Sequence, residues 1–117
     1  MKREEILNNA IKCVTGNREQ DYGTPEDNFT TISKLWTAYL SACGRTPADT
    51  KFSIRPHDVA AMMILVKIAR ISSGHGKDDN WVDIAGYSAC GGELESLLCQ
   101  KQFMSETVQS NGKEETR

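Results

Sequence analysis

The chain has 117 residues, 38% of them apolar and 26% charged, which is enough for one domain with a single hydrophobic core. Fourteen Lys and Arg against sixteen Asp and Glu leave a net charge of -2, so the strong basic excess on which generic duplex-DNA binding rests is missing. The longest unbroken apolar run, Val59 to Val66, is too short to span a membrane, and no apolar stretch follows Met1-Lys2-Arg3-Glu4-Glu5, so neither a membrane segment nor a secretory leader is expected.

Helical periodicity runs along the whole chain. A first amphipathic segment, from about Arg3 to Thr15, carries Ile6, Leu7, Ala10, Ile11 and Val14 at spacings of three and four. Glu4 and Glu5 lie in its first turn, where the helix dipole favours acids, and Gly16 is its natural stop. Thr24-Pro25-Glu26-Asp27 then supplies an N-cap hydroxyl, a proline suited to the first helical position and two first-turn acids. The stripe behind it is Phe29, Ile32, Leu35, Trp36, Tyr39 and Leu40, ending near Gly44, and Arg45 to Ser53 reads as a loop. A third helix begins near Pro56 and closes at Gly74-His75-Gly76. It is apolar on every side from Val59 to Val66, which predicts a place in the middle of a bundle.

A fourth helix, capped by Asp78 or Asp79, carries Trp81, Ile84, Ala85 and Ser88 on one face and Asp79, Asp83 and Tyr87 on another. Gly91-Gly92 predicts a kink or break before Leu94, Leu97, Leu98 and Phe103. No β-alternation of useful length is present. The expectation is an all-α bundle of four to five helices over residues 1–104, then a polar, flexible tail over residues 105–117. Cys13, Cys43, Cys90 and Cys99 form no C-x-x-C pair and fall in helical patterns. Reduced, buried thiols in a cytoplasmic protein are the preferred reading, and two disulfides the alternative.

Three clusters can carry chemistry. Lys67 and Arg70, three apart on one face of the apolar helix, must reach solvent, pair with Asp79 and Asp83, or meet an anionic ligand. In the last case Arg70 is a bidentate phosphate clamp and Lys67 a point charge. Asp79 and Asp83 can grip one Mg²⁺ or hold neighbouring cations, with Asn80 between them, and Tyr87 offers a ring to stack on a base. The plainer alternative is capping by Asp79 and a rim position for Tyr87. Arg18, Tyr22 and Gly23 precede a helix N-terminus whose outward N–H groups suit an anion, although Glu26 and Asp27 already answer that dipole. His57 and Asp58 open the third helix, Asp58 as an N-terminal charge and His57 as a surface residue or ligand contact.

Together, Asp21-Tyr22-Gly23-Thr24-Pro25-Glu26-x-Asn28-Phe29, Pro56-His57-Asp58-Val59-Ala60-x-Met62-Met63, Lys67-Ile68-Ala69-Arg70 and Asp79-Asn80-x-x-Asp83-Ile84-Ala85-Gly86-Tyr87 resemble a family of short, uncharacterised phage and prophage proteins. The resemblance covers roughly Arg18 to Glu93. That family in turn resembles the MazG-like all-α nucleoside triphosphate pyrophosphohydrolases, helical bundles, often oligomeric, that hold Mg²⁺ with E-x-x-E on one helix and E-x-x-D on its neighbour. Asp79 and Asp83, followed by Gly86-Tyr87, stand where the second acid pair would be. The first pair has no counterpart, because Val59 to Ile71 contains no acid, only Lys67 and Arg70. Cations there repel metal and attract phosphate.

The resemblance therefore implies a binding protein that keeps a nucleotide pocket without metal or turnover. Its contacts are Arg18, Tyr22, Gly23, His57, Lys67, Arg70, Asp79, Asn80, Asp83 and Tyr87, and the expected ligand includes a cyclic or defence-signalling nucleotide. The alternative is a Mg²⁺-dependent pyrophosphohydrolase with Asp58, Asp79 and Asp83 as ligands. A homodimer or higher assembly in the cytoplasm of an infected bacterium is expected, with no duplex DNA and no membrane as partners.

Overall fold

The computed structural model describes residues 1–16, 23–47, 51–74 and 77–115, with the side chains of residues 78 and 109–115 left aside. Among the described residues there are four helices and no strand: α1 (Arg3–Val14), α2 (Pro25–Ala42), α3 (Pro56–Ser72) and α4 (Asp78–Glu115). The termini follow local chemistry. Thr24 Oγ1 accepts the Asp27 N–H at 3.1 Å, and Pro25 occupies the first turn of α2. At α3 the Arg55 backbone N–H donates to Asp58 Oδ2 at 2.9 Å and its Nε donates to the same oxygen at 3.1 Å, so Asp58 ties off the helix start. Thr37 in α2 accepts the Ile54 N–H at 2.8 Å and pins the segment entering α3.

The long α4 is the backbone of the fold, packing on α3 and α1, while α2 covers α3. Phe29, Ile54, Val59, Ala60 and Leu94 form the buried core, with Ile32, Trp36, Leu40, Met63, Tyr87 and Cys90 packed around it. α3 and α4 run antiparallel: Ala60 meets Gly91 near one end and Lys67 meets Asp83 near the other. The expected break at Gly91-Gly92 is absent, and α4 continues through both residues. A Cβ at Gly91 would lie 2.9 Å from the Ala60 Cβ, so this glycine serves close helix approach rather than a turn.

Two further expectations change. α3 is not enclosed: it packs mainly on α2 and α4, and Met62, Leu65, Val66 and Ile68 stand exposed. No disulfide links the four cysteines, and only Cys13 and Cys90 are half-buried, whereas Cys43 and Cys99 are exposed. α4 has 38 residues, about 57 Å at the usual helical rise, which accounts for the 62 Å long axis. The radius of gyration is 18.2 Å, where a compact chain of this length has about 13 Å. The last helix thus overhangs the body, and every described side chain from Cys99 to Val108 is exposed, including Phe103, Met104 and Val108. Helix continues through most of the segment read from sequence as a polar tail.

Candidate functional site

Lys67 is buried at 8% exposure in the apolar α3, and its Nζ lies 2.9 Å from Asp83 Oδ2 on α4. The antiparallel register brings the two together, and Asp83 answers a cation that would otherwise be stranded. Of the partners open to Lys67 in the sequence, the acid on the next helix is the one it takes. Asp83 retains about a third of its side-chain exposure and faces a cleft between α1, α2 and α4.

The cleft is built from three short stretches. α4 contributes Val82, Asp83, Gly86, Tyr87 and Cys90; the end of α1 contributes Cys13 and Val14; the start of α2 brings Gly23, Pro25, Asn28 and Phe29. Gly23 holds φ +79, a left-handed conformation that lets the chain turn into the N-cap Thr24. The Phe29 and Tyr87 rings sit 6.2 Å apart at 33° and form the aromatic part of a lining that also carries Asp83. The hollow has about 50 Å³ of free volume and adjoins a larger one of about 320 Å³. The two share Val14, Pro25 and Cys90, and the second adds Glu26 and Glu93. Glu26 is paired with Lys101 at 2.9 Å.

Of the residues singled out from sequence, Gly23, Asp83 and Tyr87 line the cleft and Lys67 reaches it through Asp83. Asn80 is buried one turn before Asp83. Arg18 and Tyr22 lie outside the described residues. Arg70 does not face inward with Lys67: the three-residue step rotates it around the helix, and it is exposed. Asp79 is exposed as well.

His57 belongs to the other end of α3. It is a largely buried ring rather than a surface residue, with Nε2 3.8 Å from Asp58 Oδ1 and Nδ1 buried without a hydrogen-bond partner. Asp58 is nine residues from Lys67 along α3, about 13 Å of helix, and so stands well away from Asp83. Burial pushes the Asp58 carboxyl up, but hydrogen bonds from the Arg55 side chain and backbone, with the Arg55 charge, outweigh it and hold the group below its ordinary value. The same contacts raise Arg55. Asp58, Asp79 and Asp83 therefore do not form one ligand set, and no three His, Cys, Asp or Glu side chains converge among the described residues.

Asn28, Phe29, Gly86, Cys13 and Cys90 enter the wall without having been chosen as ligand contacts. Asn28, Phe29 and Gly86 belong to the quoted motifs, which was the available signal. Cys13 and Cys90 gave none, because a half-buried thiol on a helical stripe reads as core.

A family model described as "Domain of unknown function (DUF6378)" matches residues 5–95. The chain is similar to the Gene 55 protein of Mycobacterium phage L5, 41% identical over 92 residues, which cover 79% of this chain and 51% of that protein. It is also similar to the Gene 55 protein of Mycobacterium phage D29, 37% identical over 87 residues, 74% of this chain and 51% of that one. The chain thus spans about half the length of the curated relatives it matches. No solved structure matches it. No described helix is long and apolar enough to cross a membrane.

Proposed function

The chain belongs to the DUF6378 family, and from that premise we propose that it is a phage nucleotide-binding protein that holds its ligand in the α1–α2–α4 cleft without turning it over. The observation that carries this reading is the meeting of two sequence-distant motifs, Gly23 to Phe29 and Asp83 to Tyr87, around one apolar hollow with Asp83 as its charged group. A nucleobase has apolar faces and a polar edge, and stacking on an aromatic ring contributes about 1–3 kcal/mol per base. Tyr87, half-buried in the cleft wall, supplies a ring for that purpose. Lys67 is engaged by Asp83 and Arg70 stands exposed, so this reading sets the phosphates at the mouth of the cleft, near Gly23.

Turnover by two-metal chemistry needs converging carboxylates, and Asp58 is engaged with Arg55 away from Asp83. Distant kinship with the MazG-like pyrophosphohydrolases is part of the proposal, as is residence in the cytoplasm of the infected bacterium. Self-association through the uncovered α3 face is a further part, supported by the exposure of Met62, Leu65, Val66 and Ile68. For a phage, holding a cyclic or other defence-signalling nucleotide intact withdraws it from the host.

The test is thermal unfolding with a panel of nucleoside mono- and triphosphates and cyclic nucleotides, with and without EDTA. A ligand at a hundredfold excess over its Kd stabilises the native state by about 2.7 kcal/mol. Stabilisation that survives EDTA, with intact ligand recovered after denaturation, is expected. Turnover abolished by EDTA replaces this reading with the pyrophosphohydrolase, and no response to any nucleotide rejects both.

A further inference from the structure

The charged group facing the cleft is an acceptor. Asp83 Oδ2 takes the Lys67 ammonium, whereas Oδ1 accepts no hydrogen bond among the described residues, on a side chain that lines the hollow. A carboxylate in an apolar wall repels phosphate and rewards a ligand that donates. The buried Lys67 holds that carboxylate in place and takes one of its roughly four lone-pair sites, leaving the others for a ligand's donors.

The walls narrow the chemistry. Beside Asp83 the walls offer the Asn28 amide and the Tyr87 hydroxyl among the apolar Val14, Val82 and Phe29, too few groups to satisfy every hydroxyl around the rim of a ribose. A planar base gives one face to the Tyr87 ring and one edge to Asp83. Guanine alone among the common bases presents two adjacent donors, N1–H and N2–H. Adenine and cytosine place an acceptor beside their amino group, and uracil flanks its one N–H with two carbonyls. Both of those arrangements aim an oxygen or a lone pair at the carboxylate.

We propose that Asp83, held in place by Lys67 as a positioning residue, makes the cleft selective for a guanine base through hydrogen bonds from N1–H and N2–H. This rests on the reading of the cleft as a nucleotide site.

The experiment measures binding of GMP, IMP and XMP to the full chain by titration calorimetry, with circular dichroism of each variant to correct for the folded fraction. The wild-type chain is expected to bind GMP roughly tenfold more tightly than IMP, which lacks the 2-amino donor, and to reject XMP, whose 2-oxo group faces the carboxylate. Asp83→Asn should reverse the order of GMP and XMP, because its amide can donate to that oxo group. Lys67→Met should bring the GMP-to-IMP ratio towards one with Asp83 still present. Tyr87→Leu should weaken both ligands by a similar factor and leave the ratio unchanged, as a purely structural loss would. Equal wild-type affinity for GMP and IMP, or an unchanged order in Asp83→Asn, overturns guanine selectivity while leaving the nucleotide site standing. Binding by none of the three overturns the selectivity, and the wider panel then decides the site.

Discussion

Gly91 and Gly92 are adjacent, both lie within α4, and the structure assigns them opposite responses to a methyl group. At Gly91 an added Cβ would lie 2.9 Å from the Ala60 Cβ, and neither atom belongs to a flexible chain end that can swing away, so α3 and α4 must move apart. At Gly92 nothing stands within 4 Å. Gly→Ala in a helix interior contributes about 1 kcal/mol of stability at either position. That common gain cancels when the two variants are compared. What remains is the cost of overpacking at Gly91, about 1–3 kcal/mol. Gly92→Ala should therefore raise the urea midpoint followed at 222 nm, and Gly91→Ala should fall below it by that margin, with the same slope in both. Equal stabilisation of both variants would show that α3 and α4 do not approach closely here. Equal destabilisation would show that the glycine pair is a turn after all.

Thr24→Ala removes the acceptor for the Asp27 N–H at the start of α2 and should cost ~1 kcal/mol in the same urea assay; no change would mean the cap is not formed in solution. The Asp58 carboxyl is held below its unfolded value, so its contribution to stability is full above the ordinary carboxylate range and lost as pH falls through the depressed folded value. Asp58→Asn should flatten the acid limb of the stability profile, and an unchanged limb would assign acid sensitivity to other groups. Leu65→Glu places a charge on the uncovered α3 face and should shift the mass in light scattering to that of one chain while far-UV dichroism is unchanged. An identical mass in wild type and variant removes that face as a self-association surface.

The helix starts were legible because their signals are local. Thr24-Pro25 and Pro56 each act within one turn, and the structure begins α2 and α3 at those prolines. The nature of Gly91-Gly92 was not legible, because a glycine pair has the same composition whether it turns a chain or admits a neighbouring helix, and only Ala60 across the interface decides. The same holds for α3. Its all-round apolar run fits a central helix, yet one chain has too few neighbours to cover Met62, Leu65 and Val66. At the candidate site the motif pattern singled out Gly23, Asp83 and Tyr87, which line one hollow in the structure, and it left Lys67 open between several partners. Choosing Asp83 required the antiparallel register of α3 and α4, a long-range fact. Arg70 stands exposed while Lys67 is buried for the related reason that a three-residue step is close to one helical turn but not equal to it.

Amide chemical-shift mapping of the labelled full chain during a GMP titration tests the central claim most directly. Perturbations should centre on Gly23, Asn28, Phe29, Asp83, Gly86 and Tyr87, saturate together and leave Asp58 and the overhanging end of α4 still. Shifts confined to exposed cations such as Arg70, growing in proportion to nucleotide without saturating, would contradict it.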